Sequence, residues 1–193
     1  AGGYGTRLSE LTREIPKPMV EIGGYPILWH IMQIYAAQGF NDFVVALGYK
    51  GNIIKKFFLD YHSNHSDLTI NLKDGNIDMK NNQGLDWKVT LVETGEGTMT
   101  GGRVKRLSSY LNETFMLTYG DGVSDINLNK LLKFHKKNKT LVTISTIHPT
   151  SKYGKLVINK GNKVEKFVEK PEFGGDWING GFMVMEPKFL EWI

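Results

Sequence analysis

A chain of 193 residues, 40% hydrophobic and 23% charged, has enough apolar material for one domain with a sizeable core and the balance of a soluble globular protein. No run in it approaches the ~20 apolar residues of a membrane span, and with no cysteine it holds neither a disulfide framework nor a thiolate nucleophile. Its net charge of +4 suits small anionic substrates but is too dispersed for nucleic acid, since the densest basic run, HKKNK at 135–139, reads as a solvated helix end.

The chain opens on AGGYGTRL, which packs Gly2, Gly3 and Gly5 around Tyr4 and then adds Thr6 and Arg7. Glycines let a backbone turn and approach a ligand closely, and successive N–H groups in such a loop converge on an anion. The Arg7 guanidinium adds a fork of donors matched to phosphate oxygens. Ten residues on, Lys17 stands between Pro16 and Pro18, a point charge on a stiffened backbone. The stretch reads as a polyphosphate cradle with two cations brought to it. It is neither the GxxxxGK[ST] pattern nor a complete GxGxxG. Such a loop normally follows a buried strand, so the chain is expected to be an internal piece of a longer protein, lacking that strand.

Beyond it, Gly23-Gly24 marks a turn, Pro26 opens a helix, and apolar residues follow helical spacing as far as Gly39. DFVVALGY (42–49) is a short apolar run and predicts a buried strand, and GNIIKKFFLDY (51–61) predicts a second helix. Residues 62–87 turn polar; LTINL and DGNIDM predict a surface hairpin. WKVTLVET (87–94) predicts a strand, GEGTMTGGRVKRLSSYL (95–111) a glycine-rich turn into a helix, and FMLTYGDGVSD (115–125) a strand ending in a loop. Then follow a helix (127–138), a strand (141–147), a hairpin across Lys160-Gly161-Asn162, a strand (180–187) and the start of a helix (187–193). This alternation predicts an α/β fold with βαβ units and a mixed, mostly parallel central sheet flanked by helices.

Asp121 falls just past an apolar strand, between Gly120 and Gly122. Ligands of open α/β sheets bind at that edge. One carboxylate there can hold Mg²⁺ while phosphates and waters complete the octahedron; the competing reading is a turn-forming aspartate. In the loop 95–103, Thr98 can read a base or ribose, and Arg103 can reach ligand or pair with a nearby glutamate. Glu169 and Lys170 suit sugar hydroxyls and a sugar phosphate, or form an exposed charge pair; Asn179 offers an amide ahead of two glycines.

The combination GGxGTRL with PKPM resembles the sugar nucleotidyltransferases, and ETGEGTMTGGR (93–103) and WINGGF (177–182) resemble their CDP-glucose-forming branch. The resemblance implies a Rossmann-like nucleotidyltransferase fold over 1–193 as a single domain, its first strand and C-terminal part lying outside the chain. It implies Mg²⁺ dependence, with CTP and glucose 1-phosphate as substrates and CDP-glucose and pyrophosphate as products. UTP, dTTP or a catalytically silent nucleotide-sugar-binding module remain alternatives. It puts Ala1, Gly2, Gly3, Tyr4, Gly5, Thr6, Arg7 and Lys17 on the nucleotide phosphates, Thr98, Arg103 and Gly120 on the nucleotide, and Asp121 on the metal. Glu169, Lys170 and Asn179 would meet glucose 1-phosphate. Arg7, Lys17 and Asp121 are the expected catalytic set. A cytoplasmic homo-oligomer with no membrane or nucleic-acid partner is the expectation.

Overall fold

The computed structural model describes residues 1–3, 14–81, 84–149, 155–168 and 177–193. Tyr4, Gly5, Thr6, Arg7, Glu169 and Lys170 lie outside them. In chain order the elements are β1 (Glu21–Ile22), β2 (Tyr25–Pro26), α1 (Ile27–Ala36), β3 (Asp42–Leu47), α2 (Gly51–Leu59), α3 (Tyr61–Asn64), β4 (Asp67–Ile70) and β5 (Ile77–Lys80). They continue with β6 (Lys88–Glu93), α4 (Thr100–Arg106), β7 (Phe115–Thr118), α5 (Leu128–Asn138), β8 (Val142–Ile147), β9 (Lys155–Ile158), β10 (Val164–Val168) and β11 (Ile178–Met185). Short 3₁₀ turns lie at Lys17–Met19, Ser108–Tyr110 and Pro187–Trp192, the last where an α-helix was expected. No described helix is long and apolar enough to cross a membrane.

The mixed α/β architecture is as expected, and the antiparallel share of the ladders has a definite source. Among the described ladders β3–β6 alone is parallel; β1–β2, β4–β5, β9–β10, β7–β11 and β8–β11 are antiparallel. The physical reason lies in β11. Strands β7 and β8 run the same way, joined through α5, but β11 inserts between them and pairs with both. Local apolar patterns carry a strand's existence and the direction imposed by a crossover, not which distant strand will occupy the space between two others.

Helix α1 holds these ladders together. Its Leu28 and Met32 pack with Met19, Val45, Leu47 and Ile54 in one core cluster. Its Ile31 and Tyr35 pack with Leu128 of α5 and Phe182 of β11 in the other. The i, i+4 spacing of each pair gives two neighbouring apolar stripes on one helix. Helix α5 starts at Asn127, whose side chain accepts the Lys130 N–H at 2.8 Å, a cap worth ~1 kcal/mol.

At the opposite end of β7 from the site, His135 is 1% exposed, its Nε2 2.9 Å from Glu186 and its Nδ1 2.8 Å from the Thr143 hydroxyl. Thr114 donates to the same carboxylate at 2.9 Å. The His135 hydrogen bond, and with it that of Thr114, holds the Glu186 carboxyl below its ordinary 4.5 against a desolvation that pushes the other way. A carboxyl held low in the folded chain stabilises it above the ordinary value, and that contribution is lost as pH falls through the lowered one. Glu186→Gln is therefore expected to lower Tm at pH 7 by about 3 °C and to flatten the loss of stability on acidification below about pH 4.5. Thermal melts across that range, with wild-type and variant curves superimposing, would show the triad to be without effect.

Candidate active site

Three stretches far apart in sequence meet past the carboxyl ends of β3, β6 and β7. A Cβ placed on Gly120 would lie 3.2 Å from Pro18 Cγ and 3.3 Å from Ala1 Cα, so the opening glycines, the Pro-Lys-Pro turn and the loop after β7 are in contact. Pro16 and Pro18 are buried and Met19 enters the core, which pins the backbone of Lys17 while leaving its ammonium half-exposed. That ammonium forms an ion pair with Asp121. The expected phosphate cation and the expected metal carboxylate are thus brought together, 104 residues apart in sequence.

A cavity of about 1120 Å³ opens here. Its lining includes Ala1, Gly3, Lys17, Gly120 and Asp121 together with apolar side chains of α1 and residues of β3 and β7. The described ladders give β3 and β7 one partner each.

Arg103 lines the same cavity. Expected to reach the nucleotide or pair with a glutamate, it is 7% exposed with its guanidinium turned inward. Nη1 donates to Leu47 O (3.1 Å), Thr94 Oγ1 (2.7 Å) and Gly95 O (2.6 Å); Nη2 donates to Gly2 O and Glu96 O, both at 2.8 Å. A buried cation must be satisfied by such acceptors, and this one takes its own from the ends of β3 and β6 and the start of the chain. Thr98 is likewise engaged within its loop, donating to Thr94 O at 2.6 Å and accepting from Arg106 at 2.7 Å.

Asn179 lies beside the site. Its Nδ2 donates to the Tyr119 hydroxyl at 3.1 Å, next to Gly120, and its Oδ1 accepts the Gly181 N–H at 2.8 Å. The second contact closes a bulge in β11 between Asn179 and Met183, where Gly181 takes φ +85°.

For a metal, the described residues include the partly exposed carboxylate of Asp121 and no group of three or more His, Asp or Glu. That donor set fits a hard divalent cation that takes one or two carboxylates and fills its shell with phosphate oxygens and water. It does not fit a transition-metal centre built on imidazoles.

The Nucleotidyl transferase family model matches residues 1–193, the whole chain. The chain belongs to the nucleotidyl transferase family. Among nucleotidyl transferases it is 45% identical over 195 residues to the glucose-1-phosphate cytidylyltransferase of Salmonella typhimurium strain LT2, covering 100% of this chain and 76% of that relative. It is also 45% identical over 193 residues to a probable glucose-1-phosphate cytidylyltransferase of Bacillus subtilis strain 168, of which it covers 75%. The crystal structure of HddC from Yersinia pseudotuberculosis superimposes with a TM-score of 0.67 at 28% identity, covering 100% of this chain and 77% of that one.

Sequence reasoning missed Gly48 and Thr94, which stand at the ends of β3 and β6 and enclose the Arg103 guanidinium in this nucleotidyl transferase. The available signal was a glycine immediately after the apolar run 42–47. It missed Tyr119 too, whose hydroxyl partners Asn179.

Proposed function

We propose that this nucleotidyl transferase moves the cytidylyl group of CTP onto α-D-glucose 1-phosphate, giving CDP-glucose and pyrophosphate. The observation that carries the reaction type is the contact of the opening glycines, Lys17 and Asp121 in one cavity. That arrangement offers charge and position, and no activated nucleophile of the protein's own. The choice of CTP and glucose 1-phosphate is supported by the 45% identity to the Salmonella enzyme over the whole of this chain.

A phosphate oxygen of glucose 1-phosphate forms the new bond to the α-phosphorus of CTP, and the bond from that phosphorus to the β-bridging oxygen breaks in line with it. The attacking monoester is already anionic near neutral pH, so little general-base help is needed. Catalysis is then positioning and charge stabilisation. The glycine stretch and Arg7 hold the nucleotide phosphates, and Lys17 faces the α-phosphate or the attacking phosphate. Asp121 would hold Mg²⁺, which would supply charge neutralisation at the phosphates. Thr98 and Gly120 border the nucleotide, and Glu169, Lys170 and Asn179 the sugar phosphate. The enzyme works as a cytoplasmic homo-oligomer. The apolar face of the β4–β5 hairpin, where Leu68 pairs with Met79 and Ile70 with Ile77 in the open, supports such assembly.

The test is pyrophosphate release by the full-length protein with glucose 1-phosphate, Mg²⁺ and each of the four nucleoside triphosphates in turn. CTP is expected to give the highest kcat/KM by at least tenfold, ~1.4 kcal/mol of discrimination. Turnover led by UTP or dTTP, or none with any triphosphate, would overturn the reading.

A further inference from the structure

We infer that Arg103 is a positioning residue that aims a backbone donor of the opening glycines, and that Gly48 and Thr94 exist to admit and hold its guanidinium. The inference rests on the nucleotide-phosphate reading of those glycines.

The argument begins with space. A Cβ on Gly2 would collide with the Arg103 guanidinium, its distance to Nε being 2.7 Å; a Cβ on Gly48 would lie 2.7 Å from Nη2 and 2.8 Å from Cζ. The guanidinium is therefore sandwiched between two glycines from different stretches. An exposed arginine would swing away from an added methyl at little cost. This one cannot, because both Nη atoms are spent on five oxygens of Gly2, Leu47, Thr94, Gly95 and Glu96. Thr94 is fully buried, and its hydroxyl completes the arrangement by donating to Leu47 O at 2.6 Å while accepting from Arg103.

The consequence for the site follows from peptide geometry. The Gly2 carbonyl points inward, accepting from Arg103 at 2.8 Å and from the Tyr49 N–H at 3.4 Å. A trans peptide is planar with C=O and N–H on opposite sides. The Gly3 N–H is therefore turned away from the guanidinium, and Gly3 is exposed and lines the cavity. A backbone N–H fixed in that direction before the ligand arrives serves as an anion donor without an ordering cost at binding.

The experiment uses full-length protein carrying Gly48→Ala, Arg103→Lys, both together, and Thr94→Val. Gly48 is outside the expected substrate-contact set, yet Gly48→Ala is expected to raise KM for the nucleotide and lower its kcat/KM at least tenfold. KM for glucose 1-phosphate should stay within about twofold, because the glycines face the nucleotide. Arg103→Lys should lose a similar factor, since one ammonium cannot serve five acceptors. The double variant should be no worse than either single one, because the methyl no longer meets a guanidinium. Thr94→Val, close in shape, should shift nucleotide KM the same way and keeps the test alive if Gly48→Ala fails to fold. Wild-type nucleotide KM in Gly48→Ala and Thr94→Val would overturn the inference. So would equal losses for both substrates tracking a lower Tm, or losses that multiply in the double variant. If Lys17→Ala is inactive while Gly48→Ala is normal, this inference alone falls; if Lys17→Ala is also fully active, the nucleotide reading falls with it.

Discussion

Lys17→Ala is expected to lower kcat/KM for pyrophosphate release by on the order of 10²-fold or more while Tm barely moves. The kinetic loss follows from removing a cation held in the cavity lining between two buried prolines. The small stability cost follows from exposure: the side chains of Lys17 and Asp121 are 32% and 36% exposed, and partly exposed ion pairs contribute about 0–1 kcal/mol. A second readout separates this from a general loss of charge. Lys17 forms an ion pair with Asp121, so a divalent ion must displace an internal cation. Lys17→Ala should therefore bind Mn²⁺ more tightly than wild type in the absence of nucleotide, read by the paramagnetic signal of the free ion. Wild-type kinetics and unchanged Mn²⁺ affinity together would remove Lys17 from the site.

Asp121→Asn should cost as much or more, about 10²–10³ in kcat. The substitution keeps the shape of the side chain and removes the carboxylate charge that pairs with Lys17 in this cavity. Nucleotide binding without metal should survive or tighten, because Lys17 loses its anionic partner and becomes available to phosphate. The expected pattern in calorimetry is thus CTP binding retained without Mg²⁺ and no longer strengthened by adding it. Full activity of Asp121→Asn at limiting Mg²⁺ would make the carboxylate a turn-former.

Much of this was legible in the residues. The run 42–49 reads as a strand and forms β3; NLNKLLKFHKKN reads as a helix and forms α5. Lys17 between prolines and Asp121 between glycines stand out because a charge on a stiff or uncrowded backbone has few purposes besides a ligand, and the fold brings the two together. The inward turn of the Arg103 guanidinium was hidden. An arginine in a glycine-rich loop looks the same in sequence whether its fork faces a phosphate or five protein oxygens, and burial alone separates the two. Thr94 and Gly48 carry no charge and no unusual spacing, so their meaning exists only once β3 and β6 lie side by side. The sheet's order was hidden for a related reason: the partner of β7 lies beyond α5, β8 and a hairpin, where no local period reaches.

The place of β11 decides when in the life of a chain the site can exist. Synthesis runs from the amino end, so the glycines, Lys17, β7 and Asp121 emerge before the strand that lies between β7 and β8. Until Ile178–Met185 arrives, the described ladders leave β7 without a neighbour, and Tyr119 waits for the amide of Asn179. Pairings so distant in sequence form slowly, and edges left open in the meantime invite other chains. A nascent chain stalled short of residue 178 therefore already carries both charges of the ion pair, yet it has no finished site in which to use them.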